Sequence, residues 1–142
     1  PQMACYAGQL NQVFMNLNLN GIDAIEEKKQ RKENEKNKKQ LPGTPDNNSD
    51  SHRITVITEY QEEGAIVIRI RDNGIGMSET IKRKIFDPFF TTKPVGKGTG
   101  MGLSIGYQIV TEKHKGTLGC SSILGEGTEF TIELPVNVIL QK

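Results

Sequence analysis

Three short stretches carry side chains whose types and spacing can do chemistry. In "QVFMNLNLNGIDAI", Asn16 and Asn20 stand one helical turn apart. At about 100° per residue, Gln12, Asn16, Asn20, Asp23 and Glu27 share one narrow face. Amide oxygens are hard, neutral ligands suited to Mg²⁺ already bound by phosphates, although an asparagine on a helix surface is the commoner case. In "RDNGIGM", Arg71 to Met77, an aspartate closes an alternating run and glycines follow two and four residues later. Asp-Asn-Gly is a good turn former. A carboxylate held at a strand end also accepts hydrogen bonds from an exocyclic amine, while Gly74 and Gly76 let a flat ring approach the backbone. A simple turn and a purine site both satisfy this stretch. In "KGTGMGLSIG", Gly98, Gly100 and Gly102 continue a spacing begun at Gly96. Without Cβ atoms, successive N–H groups can converge on an anion, and the helix that follows adds its own unpaired N–H groups. Lys93 and Lys97 flank the loop and can neutralise phosphate. The spacing fits neither GxxxxGK[ST] nor GxGxxG, and a flexible linker is the alternative for the glycines alone.

These residues need elements to hold them. Leu10, Val13, Phe14, Leu17 and Ile25 recur at helical spacing, with Leu19 and Ile22 widening the stripe, so residues 9–25 are predicted to form a largely buried helix. Residues 28–51 change character: seven Lys and Arg against two Glu between positions 28 and 39, then Pro42, Gly43, Pro45 and a polar run. This reads as a frayed helix end and a mobile loop. Interleaved glutamates and the lack of aromatics argue against a nucleic-acid role. Alternation over residues 54–60 and 65–71, with Ile54, Val56, Tyr60 and Ile66, Ile68, Ile70 inward, predicts an antiparallel hairpin. A short helix is expected from the cap Ser78 to about Asp87-Pro88, and another from Gly102 to His114 with Leu103, Ile109 and Val110 inside. Residues 117–122 and 128–136 complete a second hairpin. The class is α+β: a two-layer sandwich, mostly antiparallel, with helices on one face.

With 142 residues, 35% hydrophobic and 25% charged, the chain suits one domain spanning 1–142. A net charge of +1 supplies no general field for nucleic acid or anionic membrane. Cys5 and Cys120 form neither a CxxC pair nor a framework and read as buried small hydrophobes. The apolar runs are too short to span a bilayer and no signal-peptide pattern opens the chain, which fits a cytoplasmic setting.

The stretches "QVFMNLNLNGIDAI", "DNGIGM", "FDPFFTTK", "GKGTGMGLSI" and "GEGTEF" resemble, in order and spacing, the asparagine, first glycine, phenylalanine and later glycine boxes of sensor histidine kinases. Together they resemble that family's catalytic ATP-binding domain, over about residues 9–135 apart from the 28–51 insert. The resemblance implies the Bergerat ATP-binding fold, ATP and Mg²⁺ as cofactors, and transfer of the γ-phosphate to a histidine. It implies that Asn20 holds Mg²⁺, Asp72 reads the adenine amine, Gly74 and Gly76 border the base and Thr128 supports the adenine pocket. Asn16 positions the phosphates and, with Lys93, serves the transfer. Gly98, Gly100 and Gly102 line the triphosphate under a mobile lid whose leading edge is anchored by Phe86, Phe89 and Phe90. Asp23, Met77, Phe90, Thr91, Lys97, Thr99, Met101 and Leu103 complete the implied nucleotide contacts.

Hydrolytic and serine-kinase relatives of the wider superfamily usually carry a glutamate where Asn16 stands. An asparagine has no titratable proton to exchange and cannot act as a general base. A histidine acceptor is already nucleophilic near neutral pH, so transfer to it needs mainly alignment and charge neutralisation. The resemblance therefore favours a histidine kinase over an ATPase or a nucleotide-sensing module. His52 and His114 lie outside an acceptor-box setting and are expected at the surface. The implied partners are a phosphoacceptor histidine on a dimerisation hairpin elsewhere in a longer parent and a downstream response-regulator receiver domain, with this domain itself monomeric. The chain is expected to lack the family's first helix and strand. Two departures stand out: Gly21 replaces the usual alanine and should weaken its helix by about 1 kcal/mol. Asn18 occupies an aliphatic position, projects away from the Asn16/Asn20 stripe and implies a packing cost.

Overall fold

In the computed structural model, residues 4–39, 51–91 and 102–136 are described. The two alternating runs pair as β1 (Ile54–Gln61) and β2 (Ala65–Asp72), and β3 (Thr117–Ile123) pairs with β4 (Gly127–Pro135). The four form one sheet in the order β1-β2-β4-β3, antiparallel throughout. Helices α1 (Ala7–Lys39), α2 (Glu79–Lys82) and α3 (Gly102–Gln108) accompany it, and α3 runs on into a π-helical turn, Ile109–Lys113. The α+β sandwich expected from the strand and helix periodicities is present.

The core is the apolar stripe of α1 laid against the sheet. Leu10, Val13 and Leu17 from α1 meet Ile70, Leu118, Phe130, Ile132 and Leu134 from the strands and Ile109 and Val110 from the π turn. The opposite sheet face carries Arg69–Glu59 (3.1 Å) and Arg71–Glu129 (2.8 Å) hydrogen-bonded ion pairs, exposed contacts of small energetic weight. Register matters more. Ile54 lies opposite Asp72, Asp72 opposite Thr128, and Thr128 opposite Ser122, one row across all four strands. Directly opposed residues point to the same side of a sheet, so this row turns toward the helices.

Several expectations are corrected. Residues 28–39 are helical, because Glu, Lys, Gln and Arg propagate a helix well and Glu27 pairs with Arg31 at 2.7 Å, one turn on. The expected loop beyond Lys39 falls largely outside the described residues. Leu19 and Ile22 are 49% and 44% exposed and do not join the buried stripe of α1. Val56 and Tyr60 are 54% and 51% exposed because β1 is an edge strand and α1 covers its neighbour instead. Regular α-helix after Ser78 ends at Lys82, and hydrogen-bonded turns carry the chain through Asp87 to Phe90. Cys5 and Cys120 are half-buried, and burial pushes the Cys120 thiol up to about 11.

His114 reverses the surface expectation completely, at 0% exposure. Its Nε2 accepts the Tyr6 N–H at 3.0 Å, so Nδ1 carries the proton and donates to the Ile109 carbonyl at 2.9 Å. Asn18 bonds back to the Phe14 carbonyl at 2.8 Å, satisfying its amide within its own helix.

Leu17→Ala is expected to lower the unfolding free energy by about 2–5 kcal/mol, read by urea denaturation. Val56→Ala, at the uncovered edge, should change it by about 0.5 kcal/mol or less.

Candidate functional site

The narrow face of α1 predicted from its polar residues borders a cavity of about 440 Å³. Asn16, Asn20 and Asp23 line it from α1, Asp72 from the end of β2, Gly76 and Met77 from the loop after it, and Thr128 from β4. Phe90 and Thr91 close one side, and Gly102 and Leu103 enter at the start of α3. Leu19, Ala24, Ile75, Ile81, Ile85, Leu124 and Phe130 supply apolar wall, with Glu27 and Arg31 at the rim. Lys93, Lys97, Gly98, Thr99, Gly100 and Met101 lie outside the described residues.

Asp72 is 6% exposed. Its Oδ1 accepts the Gly74 N–H at 2.9 Å, and the Thr128 backbone N–H also donates to its carboxylate. Burial raises the pKa of this carboxyl, outweighing the two backbone donors and the Lys28 charge, which pull it down. α1 walls it in closely at position 21: a Cβ there would stand 3.3 Å from both Asp72 Cβ and Ile54 Cδ1, a fit that needs the neighbours to give by a few tenths of an ångström. Gly21, read from the sequence as a weak point of the helix, thus sits where α1 packs on Asp72.

The two glycines after Asp72 have different duties. A Cβ on Gly74 would lie 2.6 Å from the Ala24 carbonyl carbon, so this residue lets the loop seat on α1 and lies outside the cavity lining. Gly76 lines the cavity in a left-handed conformation (φ 69°), where a Cβ would collide with the Ile123 carbonyl oxygen. At the other end, Asn16 Nδ2 donates to the Gly102 carbonyl at 3.4 Å. That leaves its amide oxygen as the end able to face a cation or a donor.

The three phenylalanines separate. Phe86 packs on Tyr107 and Phe130, with centroids 5.1 and 6.5 Å apart, and Phe90 lines the cavity. Phe89 is 71% exposed at φ 65°, and the segment it was expected to anchor lies outside the described residues. Neither His52 nor His114 lines the cavity.

Two contributors escaped the sequence reading. Arg31 falls in the stretch read as a frayed helix end and loop, although its position one turn beyond Glu27 on the polar face was a usable signal. Ser122 was passed over as a strand residue. Its hydroxyl accepts the Met77 N–H (2.8 Å) and contacts the Gly127 carbonyl (3.1 Å) and Thr128 Oγ1 (2.8 Å).

No group of three or more His, Cys, Asp or Glu able to hold a metal occurs among the described residues. A Mg²⁺ ion carried by phosphates needs only one or two protein oxygens, and the Asn20 amide at the cavity wall meets that demand. None of the described helices is long and apolar enough to cross a membrane.

The sequence pattern of the family described as histidine kinase-, DNA gyrase B- and HSP90-like ATPase matches residues 6–138. The sensor kinase CckA of Brucella abortus is 38% identical over 128 residues, covering 90% of this chain and 12% of that protein. The sensor histidine kinase ZraS of Escherichia coli O157:H7 is 32% identical over 138 residues, covering 97% of this chain and 24% of that protein. The chain thus spans a quarter or less of the length of these relatives. Among solved structures, the nucleotide-free catalytic domain of histidine kinase ThkA superposes with a TM-score of 0.66 at 26% identity, over 93% of this chain and 69% of that one. Full-length ShkA in complex with AMPPNP shares the fold, with a TM-score of 0.71 at 20% identity over 99% of this chain and 24% of that one.

The raised pKa of Asp72 has a stability consequence. Its contribution is fully present below the ordinary value of 3.8 and is lost as pH rises through the higher folded-state value. Asp72→Asn is therefore expected to melt at an equal or higher temperature than the parent at pH 7, with the gain shrinking as pH falls toward 4. Thermal melts across pH 4–8 check this.

Proposed function

The chain belongs to the histidine kinase-, DNA gyrase B- and HSP90-like ATPase family, and from that premise we propose that it is the catalytic ATP-binding domain of a two-component sensor kinase. It binds ATP with Mg²⁺ and donates the γ-phosphate to a histidine on a separate dimerisation hairpin of its parent. The observation that carries this reading is one cavity in which a buried carboxylate, a threonine hydroxyl and two asparagine amides from distant segments converge.

The chemistry of each wall supports it. Asp72 is an acceptor with apolar neighbours, suited to the amine edge of adenine. Asn20 would take one coordination place on Mg²⁺, which when bound neutralises phosphate charge. Asn16 would orient phosphate oxygens and, lacking a titratable proton, leaves the nucleophile's activation to the nucleophile itself. That suits a histidine acceptor, and neither histidine of this chain faces the cavity. The domain's contribution is placement of the reacting groups. Lys93 and the glycine loop with Lys97, Gly98, Thr99, Gly100 and Met101 would close over the triphosphate. A monomeric, cytoplasmic domain feeding a response-regulator receiver completes the proposal.

Incubation with γ-labelled ATP and a supplied acceptor-hairpin domain should yield acid-labile phosphohistidine. Steady phosphate release without acceptor would favour an ATPase instead, and binding without either reaction a nucleotide-sensing module. In calorimetry, Asp72→Ala should weaken ATP binding by roughly 10- to 150-fold, the worth of a hydrogen bond to a charged group. Asn20→Ala should remove mainly the difference between titrations with and without Mg²⁺.

A further inference from the structure

We propose that Ser122 sets the base preference of the nucleotide cavity, by fixing the Thr128 hydroxyl as a hydrogen-bond acceptor beside Asp72. The inference rests on reading the cavity as a nucleotide site and extends it to a residue outside the cavity lining.

Proton counting carries the argument. The Ser122 hydroxyl has one proton and two lone pairs. The Met77 N–H, 2.8 Å away, is only a donor, so Ser122 Oγ accepts from it. The Gly127 carbonyl, 3.1 Å away, is only an acceptor, so all three contacts of Ser122 are hydrogen bonds only when its single proton goes there. The remaining 2.8 Å contact with Thr128 Oγ1 must then be donated by Thr128. Thr128 has spent its only proton and offers the cavity lone pairs alone.

Asp72 stands directly across the β2–β4 ladder and, ionised, is likewise acceptor-only. Two acceptors side by side suit a purine whose 6-position bears an amine, since its two N–H bonds can serve both. A 6-oxo purine brings one ring N–H and one carbonyl oxygen, so an acceptor would face an acceptor. Leaving buried polar groups unmatched is the costly route by which such sites discriminate. Ser122 touches no base in this scheme; it is a positioning residue acting through Thr128.

The test compares the affinities of ATP and inosine triphosphate, whose bases differ in the 6-amino and 6-oxo groups, by calorimetry at pH 8. The wild-type domain should prefer ATP. In Ser122→Ala the Thr128 hydroxyl is released to donate to a 6-oxo group, and the ATP-to-inosine-triphosphate affinity ratio should fall about tenfold. Thr128→Val should lower the ratio as well, and the double variant should fall no further than Thr128→Val, the signature of two residues acting in series. Ser122→Thr, which keeps the hydroxyl, should restore the ratio, and serves with Thr128→Val if Ser122→Ala folds poorly. Equal weakening of both nucleotides in Ser122→Ala, or a ratio unchanged in Thr128→Val, overturns the proposal, since Ser122 would then only brace the loop. Failure of the wild-type domain to bind either nucleotide overturns the site reading itself.

Discussion

The molecule is organised around a carboxylate held where water cannot easily reach it. Removing an ionisable group from water is unfavourable unless donors replace the solvent, and Asp72 has the Gly74 and Thr128 backbone N–H groups for that purpose. Burial still outweighs them, so the fold carries an unfavourable term at this one side chain once it ionises. The arrangement depends on α1 approaching the end of β2 within van der Waals contact, which Gly21 and Gly74 permit from the two sides.

The second requirement is rigidity around that acid. Gly76 seats the loop after β2 against the β3–β4 turn, and the Gly125 N–H bonds back to the Ile75 carbonyl. Ser122 ties the same loop to the last strand. A loop held at three points by the end of the β3–β4 hairpin keeps its walls in place, so less ordering entropy is lost on binding.

The sequence disclosed the fold class through periodicity alone, because alternation in the two hairpins and the 3.6-residue pattern of α1 are strong signals. The site was legible where residue type and local spacing coincide. Asn16, Asn20, Asp72 and Thr128 all reach one cavity from the segments predicted to carry them. What stayed hidden depended on tertiary packing. Val56 and Tyr60 alternate correctly, but no local pattern tells that β1 lies at an uncovered edge. His114 is polar and near a helix end, and only the fold supplies the Tyr6 amide and the π turn that satisfy its ring. Residues 28–39 were misjudged because charge density looked like disorder, although their individual helix propensities are high. Ser122 needed the cross-strand register, which fixes its neighbour as Thr128.

The length of α1 has a thermodynamic consequence. Ile25 is its last buried apolar residue, so the turns from residue 26 onward inherit a nucleus already formed against the core and are held by propagation and by side-chain contacts rather than by core burial. A helix end of that kind frays at a lower free energy than the core unfolds. Its natural stop is the bond from Lys28 Nζ to the Asn73 carbonyl (3.2 Å), which joins the helix to the loop beside Asp72. Arg31, one turn outside that stop, is thus present at the cavity rim only while the outer turns are wound.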